Sequence, residues 1–139
     1  MLKSNYITQI VQKIKNHGLN YPVPFNINYH WSYGSIVFLF LLLQIITGFF
    51  LSTHYIPHMA YAFDSIEHIM RELNFGWLMR YSHANGVTIL FFVLYYHIGR
   101  AFYFNIYENS RSNLGWYTGM VLYLLMMATA FLGYVLPWG

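Results

Sequence analysis

The 139-residue chain is 58% hydrophobic and 22% aromatic but only 8% charged, against roughly 25% charge in soluble domains, which excludes an ordinary soluble fold. It has no cysteine, which excludes disulfides, covalent haem attachment through C-x-x-C-H and thiolate-held iron–sulfur clusters on this chain. The net charge of +3 is small, and without a basic cluster interleaved with aromatics it gives no nucleic-acid face, leaving a membrane surface as the anionic neighbour.

Residues 1 to 28 form a segment separate from 29 to 139. The N-terminus lacks the continuous apolar run and small-residue cleavage site of a signal peptide, so Met1 is expected to stay in the mature chain. From Ser4 to Lys15, Ile7, Ile10, Val11 and Ile14 fall at helical spacing among lysines. This predicts a short amphipathic helix that lies in the membrane interface or packs on another subunit. Pro22 and Pro24 punctuate the linker that follows.

Span A, about 31 to 53, has no charge between Trp31 and Ser52 and is long enough to cross a ~30 Å hydrocarbon layer as a helix. Pro57 opens a loop carrying Asp64, Glu67, Arg71 and Glu72, within which Ser65 to Leu73 suits a short surface helix. Span B, about 77 to 104, holds Arg80 and Arg100 with 19 uncharged residues between them. That separation is ~30 Å along a helix, so the two arginines belong at opposite membrane faces. A polar loop, Asn105 to Asn113 with Glu108 and Arg111, leads to span C, about 114 to 135, and Pro137 stops it. Lys3, Lys13 and Lys15 precede span A without an acid among them, which places the N-terminus on the negative, cytoplasm-equivalent side. The expected fold is therefore an all-α integral membrane protein with three transmembrane helices.

Span B carries two histidines, His83 and His97, 14 residues apart, and Gly34/Gly48 and Gly119/Gly133 repeat that interval on spans A and C. Fourteen residues make close to four turns and ~21 Å, so each pair faces nearly one way at two depths. If span B runs antiparallel to A and C, Gly34 and Gly119 share the level of His97, and Gly48 and Gly133 that of His83. A single intramembrane histidine can be a packing residue bonded to a neighbouring carbonyl. Two at matched spacing, each with an arginine one turn outward, fit a flat cofactor ligated by imidazole whose anionic edge meets guanidinium. Haem b has that shape. Snorkelling accounts for the arginines only if the histidines are set aside, and helix packing accounts for any glycine taken singly.

These residues, together with Gln44-Ile-Ile-Thr-Gly48, Arg80-Tyr-Ser-His83-Ala-Asn-Gly86, His97-Ile-Gly-Arg100 and Ala128-Thr-Ala-Phe-Leu-Gly-Tyr-Val-Leu-Pro-Trp-Gly139, closely resemble the mitochondrial cytochrome b family from about Asn28 to Gly139. The resemblance implies the N-terminal three-helix portion of a di-haem helical bundle holding two noncovalent haems b. In it His83 ligates the low-potential haem and His97 the high-potential haem, with Arg80 and Arg100 facing their propionates. Trp31, Gly34, Trp116 and Gly119 match positions lining the high-potential haem. Gln44, Gly48, Phe131 and Gly133 match positions at the low-potential haem, and Met127, Phe131 and Tyr134 match the wall of the family's quinol-oxidising pocket.

The resemblance further implies a redox subunit of the respiratory ubiquinol–cytochrome c reductase, complex III, active within the complex and not as an isolated chain. Its haems would carry electrons across the mitochondrial inner membrane between quinol-oxidising and quinone-reducing sites, with ubiquinol and ubiquinone as substrate and the N-terminus on the matrix side. Implied partners are the Rieske iron–sulfur protein, cytochrome c1 and other complex III subunits in a dimeric complex. The family's fourth span supplies the second histidine to each haem, so that helix is expected from the same chain beyond residue 139 or from a separate polypeptide. His17, His30, His54, His58 and His68 lie outside the spans and read as loop or interface residues. The loop after span B is about three residues longer than the family's, with Asn105-Ile106 where Gly-Ser is frequent. Two rival readings are a haem-free structural scaffold subunit and a small transporter; spans A and C offer almost no polar residues for a transport pathway.

Overall fold

The computed structural model describes residues 2–20, 25, 27–108 and 113–138, with side chains from Tyr6 onward. Pro22, Pro24, Arg111, Gly139 and the side chain of Lys3 lie outside the described residues. Every regular element among the described residues is helical. The chain divides into two compact units, Met1–Trp31 and Ser32–Gly139.

In the first unit, α1 (Leu2–Gly18) exceeds the expected Ser4 to Lys15 at both ends. No proline or glycine interrupts the backbone before Gly18, so the helix continues to its first glycine. Lys15 and His17 lie in its last turn, where cations complement the helix dipole. Tyr6, Ile7, Ile10, Val11 and Ile14 are exposed. A 3-10 turn, Tyr29–Trp31, closes the unit, with Asn28 accepting from the His30 amide at its side-chain oxygen and from the Trp31 amide at its carbonyl.

The second unit contains α2 (Tyr33–Ser52), α3 (Ala62–Arg71), α4 (Gly76–Tyr103) and α5 (Asn113–Val135). Three of these, α2, α4 and α5, are long and apolar enough to cross a membrane, and the described residues form an all-α membrane fold with three candidate transmembrane helices. Helices are what such runs must form, because lipid offers no partner to an open backbone hydrogen bond. At the end of α2 the Ser52 and Thr53 hydroxyls donate to the carbonyls of Phe49 and Phe50 at 2.8 and 2.7 Å, satisfying acceptors left without a helical partner.

α2 and α4 form the packed core of the unit. Along α4 the residues His83, Gly86, Leu90, Val93 and His97 follow one another in steps of three and four, with Gly86, Leu90 and Val93 buried. Gly34, Val37, Leu41, Gln44 and Gly48 repeat those steps on α2. The 14-residue interval is thus two heptads, the repeat that keeps one seam of each helix against its neighbour. A Cβ on Gly34 would meet His97, and one on Gly48 would meet His83, so the two helices are antiparallel. Phe38, Leu39, Ile45, Ile46 and Phe49 stand on the outer side of α2, exposed, as lipid-facing residues do.

α5 is placed by its ends. Phe102 near the end of α4 meets Trp116 near the start of α5 edge to face at 5.1 Å. At the far end the Tyr55 hydroxyl, beyond α2, donates to the Leu136 carbonyl, beyond α5, at 2.6 Å. α5 therefore runs parallel to α2. Midway, Tyr95 and Tyr123 meet edge to face at 6.3 Å, and no described residue of α5 is buried.

The surface helix expected at Ser65 to Leu73 runs one turn earlier, over Ala62–Arg71. Ser65 is buried and not at the start: its hydroxyl donates to the Ala62 carbonyl at 2.7 Å and accepts the Ile56 amide at 3.3 Å, tying the preceding loop to the helix. Phe75 adopts a left-handed φ of 62°, which turns the chain into α4. Gly76 then lies so close to the Ile69 carbonyl that a Cβ there would collide with backbone. Gly76→Ala should therefore destabilise the protein by about 1–3 kcal/mol, the usual cost of overpacking. Gly99→Ala, where a Cβ meets nothing within 4 Å, should be neutral or slightly stabilising, and thermal unfolding followed by helical circular dichroism in detergent separates the two.

Candidate functional site

The two histidines occupy opposite ends of the α2–α4 seam, both half-buried. Each imidazole lies over a glycine of α2. An added Cβ on Gly34 would stand 3.2 Å from His97 Cε1, and one on Gly48 3.1 Å from His83 Cε1, closer than carbon atoms settle without displacement. Glycine at these two positions is therefore what lets the rings lie flat against the helix.

The surroundings of the two rings differ. At His83, Nδ1 lies 2.9 Å from Thr47 Oγ1, and Thr47 is buried beside Gly48. At His97, Nδ1 is buried with no hydrogen-bond partner among the described residues. The residue before Gly34 is Tyr33, which stacks on Tyr96 with centroids 4.0 Å apart and planes 29° from parallel. Arg80 and Arg100, each one turn outward from its histidine on α4, are both partly buried.

The remaining sequence-derived positions are less convergent. Gln44 is buried on the seam, its amide against Gly86, where a Cβ would strike it. Gly119 and Gly133 on α5 meet nothing within 4 Å of an added Cβ. Trp116 is partly buried and packs on Phe102 and on Tyr107, the latter at 5.9 Å. Met127 is partly buried, whereas Phe131 and Tyr134 are 68% and 70% exposed. Trp31 belongs to the N-terminal unit, where it is 38% exposed. Asn105, in the loop after α4, has a left-handed φ of 51°, a conformation glycine and asparagine adopt most readily.

Thr47 was not singled out by sequence reasoning, although it lies inside the Gln44–Gly48 motif. Its signal was a hydroxyl one residue before a glycine that faces a histidine. That signal has meaning only once the antiparallel pairing puts His83 beside it.

The chemistry this arrangement suits is ligation of a planar group by a single imidazole at each end of the seam. No three His, Cys, Asp or Glu side chains converge among the described residues, so each imidazole stands as a single donor. The glycine beneath each ring keeps a flat surface where any larger side chain would intrude.

The family model described as Cytochrome b/b6/petB matches residues 19–139. The chain is 52% identical over 126 residues to the cytochrome b of Phytophthora megasperma and to that of Cyanidium caldarium, in each case covering 91% of this chain and 33% of the relative. It is 48% identical over 130 residues to the cytochrome b of Oryza sativa subsp. japonica, covering 94% and 32%. Among solved structures, a chain of a hyperthermophilic respiratory Complex III is similar with a TM-score of 0.89 and 34% identity, over 94% of this chain and 33% of that one. The chain thus spans about a third of the length of the relatives it matches.

If the two glycine–imidazole contacts are independent, Gly34→Val and Gly48→Val should each cost about 1–3 kcal/mol by overpacking. At ~21 Å apart, their costs in the double variant should add to within about 0.5 kcal/mol. Unfolding midpoints of the two single variants and the double variant check this.

Proposed function

Because the chain belongs to the cytochrome b family, we propose that it is the N-terminal, haem-ligating portion of the membrane redox subunit of a ubiquinol–cytochrome c reductase. The observation that carries this reading is the pair of half-buried imidazoles 14 residues apart on α4, each laid against a glycine of α2. His83 would provide one axial ligand to the low-potential haem b and His97 one to the high-potential haem b.

The residues present fit that group. His83 is engaged at Nδ1, which leaves Nε2, the nitrogen farther along the ring, for iron. Gly34 and Gly48 give each imidazole the room that a Cβ would take, so the ring can lie against α2. Arg80 and Arg100 are positioned toward opposite ends of α4, as groups meeting haem propionates would be. When bound, haem supplies a one-electron couple at each of two membrane depths, which suits transfer between a quinol-oxidising and a quinone-reducing site.

The chain's own part is to hold and to separate. The seam of α2 and α4 fixes the two imidazoles two heptads apart, so the ligated groups cannot drift in depth. The apolar faces of α2, α4 and α5 exclude water and ions from the space between. Gln44 and Gly133 would line the low-potential group, and Trp116 and Gly119 the high-potential one. Phe131 would stand between the low-potential haem and the quinol-oxidising pocket, whose wall it would share with Met127 and Tyr134.

The second imidazole for each haem would come from helices beyond those described, on the same or another polypeptide. In this reading the complex lies in the mitochondrial inner membrane with α1 on the matrix side. It is dimeric, with a Rieske iron–sulfur protein and cytochrome c1 as electron-accepting partners.

His83→Leu and His97→Leu in the assembled complex should each abolish one b-type species in the reduced-minus-oxidised spectrum and leave the other. Retention of both species in both variants would overturn the axial assignment. A wild-type complex without b-type bands would return the chain to the role of a haem-free scaffold.

A further inference from the structure

The 14-residue repeat makes the two ends of the seam alike in outline, yet they differ at one polar contact. The Thr47 hydroxyl has one proton, and Leu43, a turn earlier on α2, takes it: Oγ1 donates to the Leu43 carbonyl at 2.7 Å, with the Gln44 carbonyl more distant at 3.3 Å. With its proton directed to Leu43, Oγ1 takes the acceptor role at its third contact, the His83 Nδ1 at 2.9 Å, where the direction follows the ring tautomer. That assigns the ring hydrogen of His83 to Nδ1 and its available lone pair to Nε2. At the His97 end the corresponding residue of the repeat is Tyr33, whose ring is stacked on Tyr96 and offers no matching acceptor to Nδ1.

We propose that Thr47 is a positioning residue for the redox group at His83: by accepting the Nδ1 hydrogen it fixes the tautomer and ring orientation and makes Nε2 the more basic ligand. A more basic axial imidazole stabilises the oxidised over the reduced metal, so this contact lowers the midpoint at His83 relative to His97. The inference rests on the reading of His83 as an axial ligand. It explains with one side chain why two sites built on one repeat are not equivalent.

The test uses the whole assembled complex, with potentiometric titration of the b-type bands and the low-spin electron paramagnetic resonance signals as readouts. Thr47→Val keeps the shape and removes the acceptor; it should retain both haems, raise the midpoint of one and shift that haem's resonance signal, leaving the other unchanged. Thr47→Ser keeps the hydroxyl and should restore the wild-type midpoint. If Thr47→Val does not assemble, Thr47→Ala against Thr47→Ser makes the same comparison. An unchanged midpoint on loss of the hydroxyl, or an equal shift with serine, would overturn the inference while His83→Leu still removes one haem. Retention of both haems in His83→Leu would instead overturn the axial reading on which it depends.

Discussion

The structure depends on how closely two helices can approach where an imidazole must lie between them. Gly34 and Gly48 present bare backbone to the Cε1 atoms of His97 and His83, and a single added carbon at either would stand 3.1–3.2 Å from the ring. In lipid the hydrophobic effect does not draw helices together, so close packing and buried polar contacts must hold them. The α2–α4 seam supplies both: Leu90, Val93 and Leu94 are buried along α4, Gln44 and Thr47 along α2. The histidines are therefore anchored by the same contacts that join the helices, and a change in helix spacing at either glycine would move the histidine opposite it.

Much of this was legible in the sequence because membrane physics leaves few choices. Long apolar runs in lipid close their own backbone hydrogen bonds as helices, and the three runs fold as Tyr33–Ser52, Gly76–Tyr103 and Asn113–Val135. The glycine–histidine pairing on α2 was legible from one interval on two neighbouring spans, given antiparallel connection. Less legible were the features set by contacts between elements. Ser65 looks like a helix-capping residue, yet it is buried inside α3 because the loop from Ile56 needs an acceptor for its amide. Phe75 looks like an unremarkable aromatic, yet it carries the left-handed turn that lets Gly76 close on Ile69. Nothing local to either residue distinguishes the outcome, which follows from the three-dimensional path of the loop.

α5 follows a different logic from its two companions. It carries the same 14-residue glycine interval, but it is held at its ends and middle by aromatic edge contacts and by the Tyr55–Leu136 hydrogen bond, not by a continuous seam. Edge-to-face aromatic pairs contribute about 0.5–1.5 kcal/mol each, enough to fix direction and level while leaving the glycines out of contact with protein. The interval on α5 thus cannot be explained by packing on α2 or α4 within this unit. A planar group between helices would make use of it, since a large ring needs clearance on more than one side at each depth.

A repeat of two heptads generates two sites of the same outline, and equivalence would follow if the flanking residues also repeated. They do not. The residue before each glycine is tyrosine at one end and threonine at the other, and the residue before each histidine is tyrosine at one end and serine at the other. At the His97 end the two tyrosines stack on each other, a contact that stiffens the seam through shape. At the His83 end the small side chains leave room for a hydroxyl to reach the ring, and the contact is a polar one at 2.9 Å. Backbone periodicity sets where the imidazoles stand, and the residues beside each pair set what each ring meets. The interval can therefore stay the same at both ends while the environment of each ring differs.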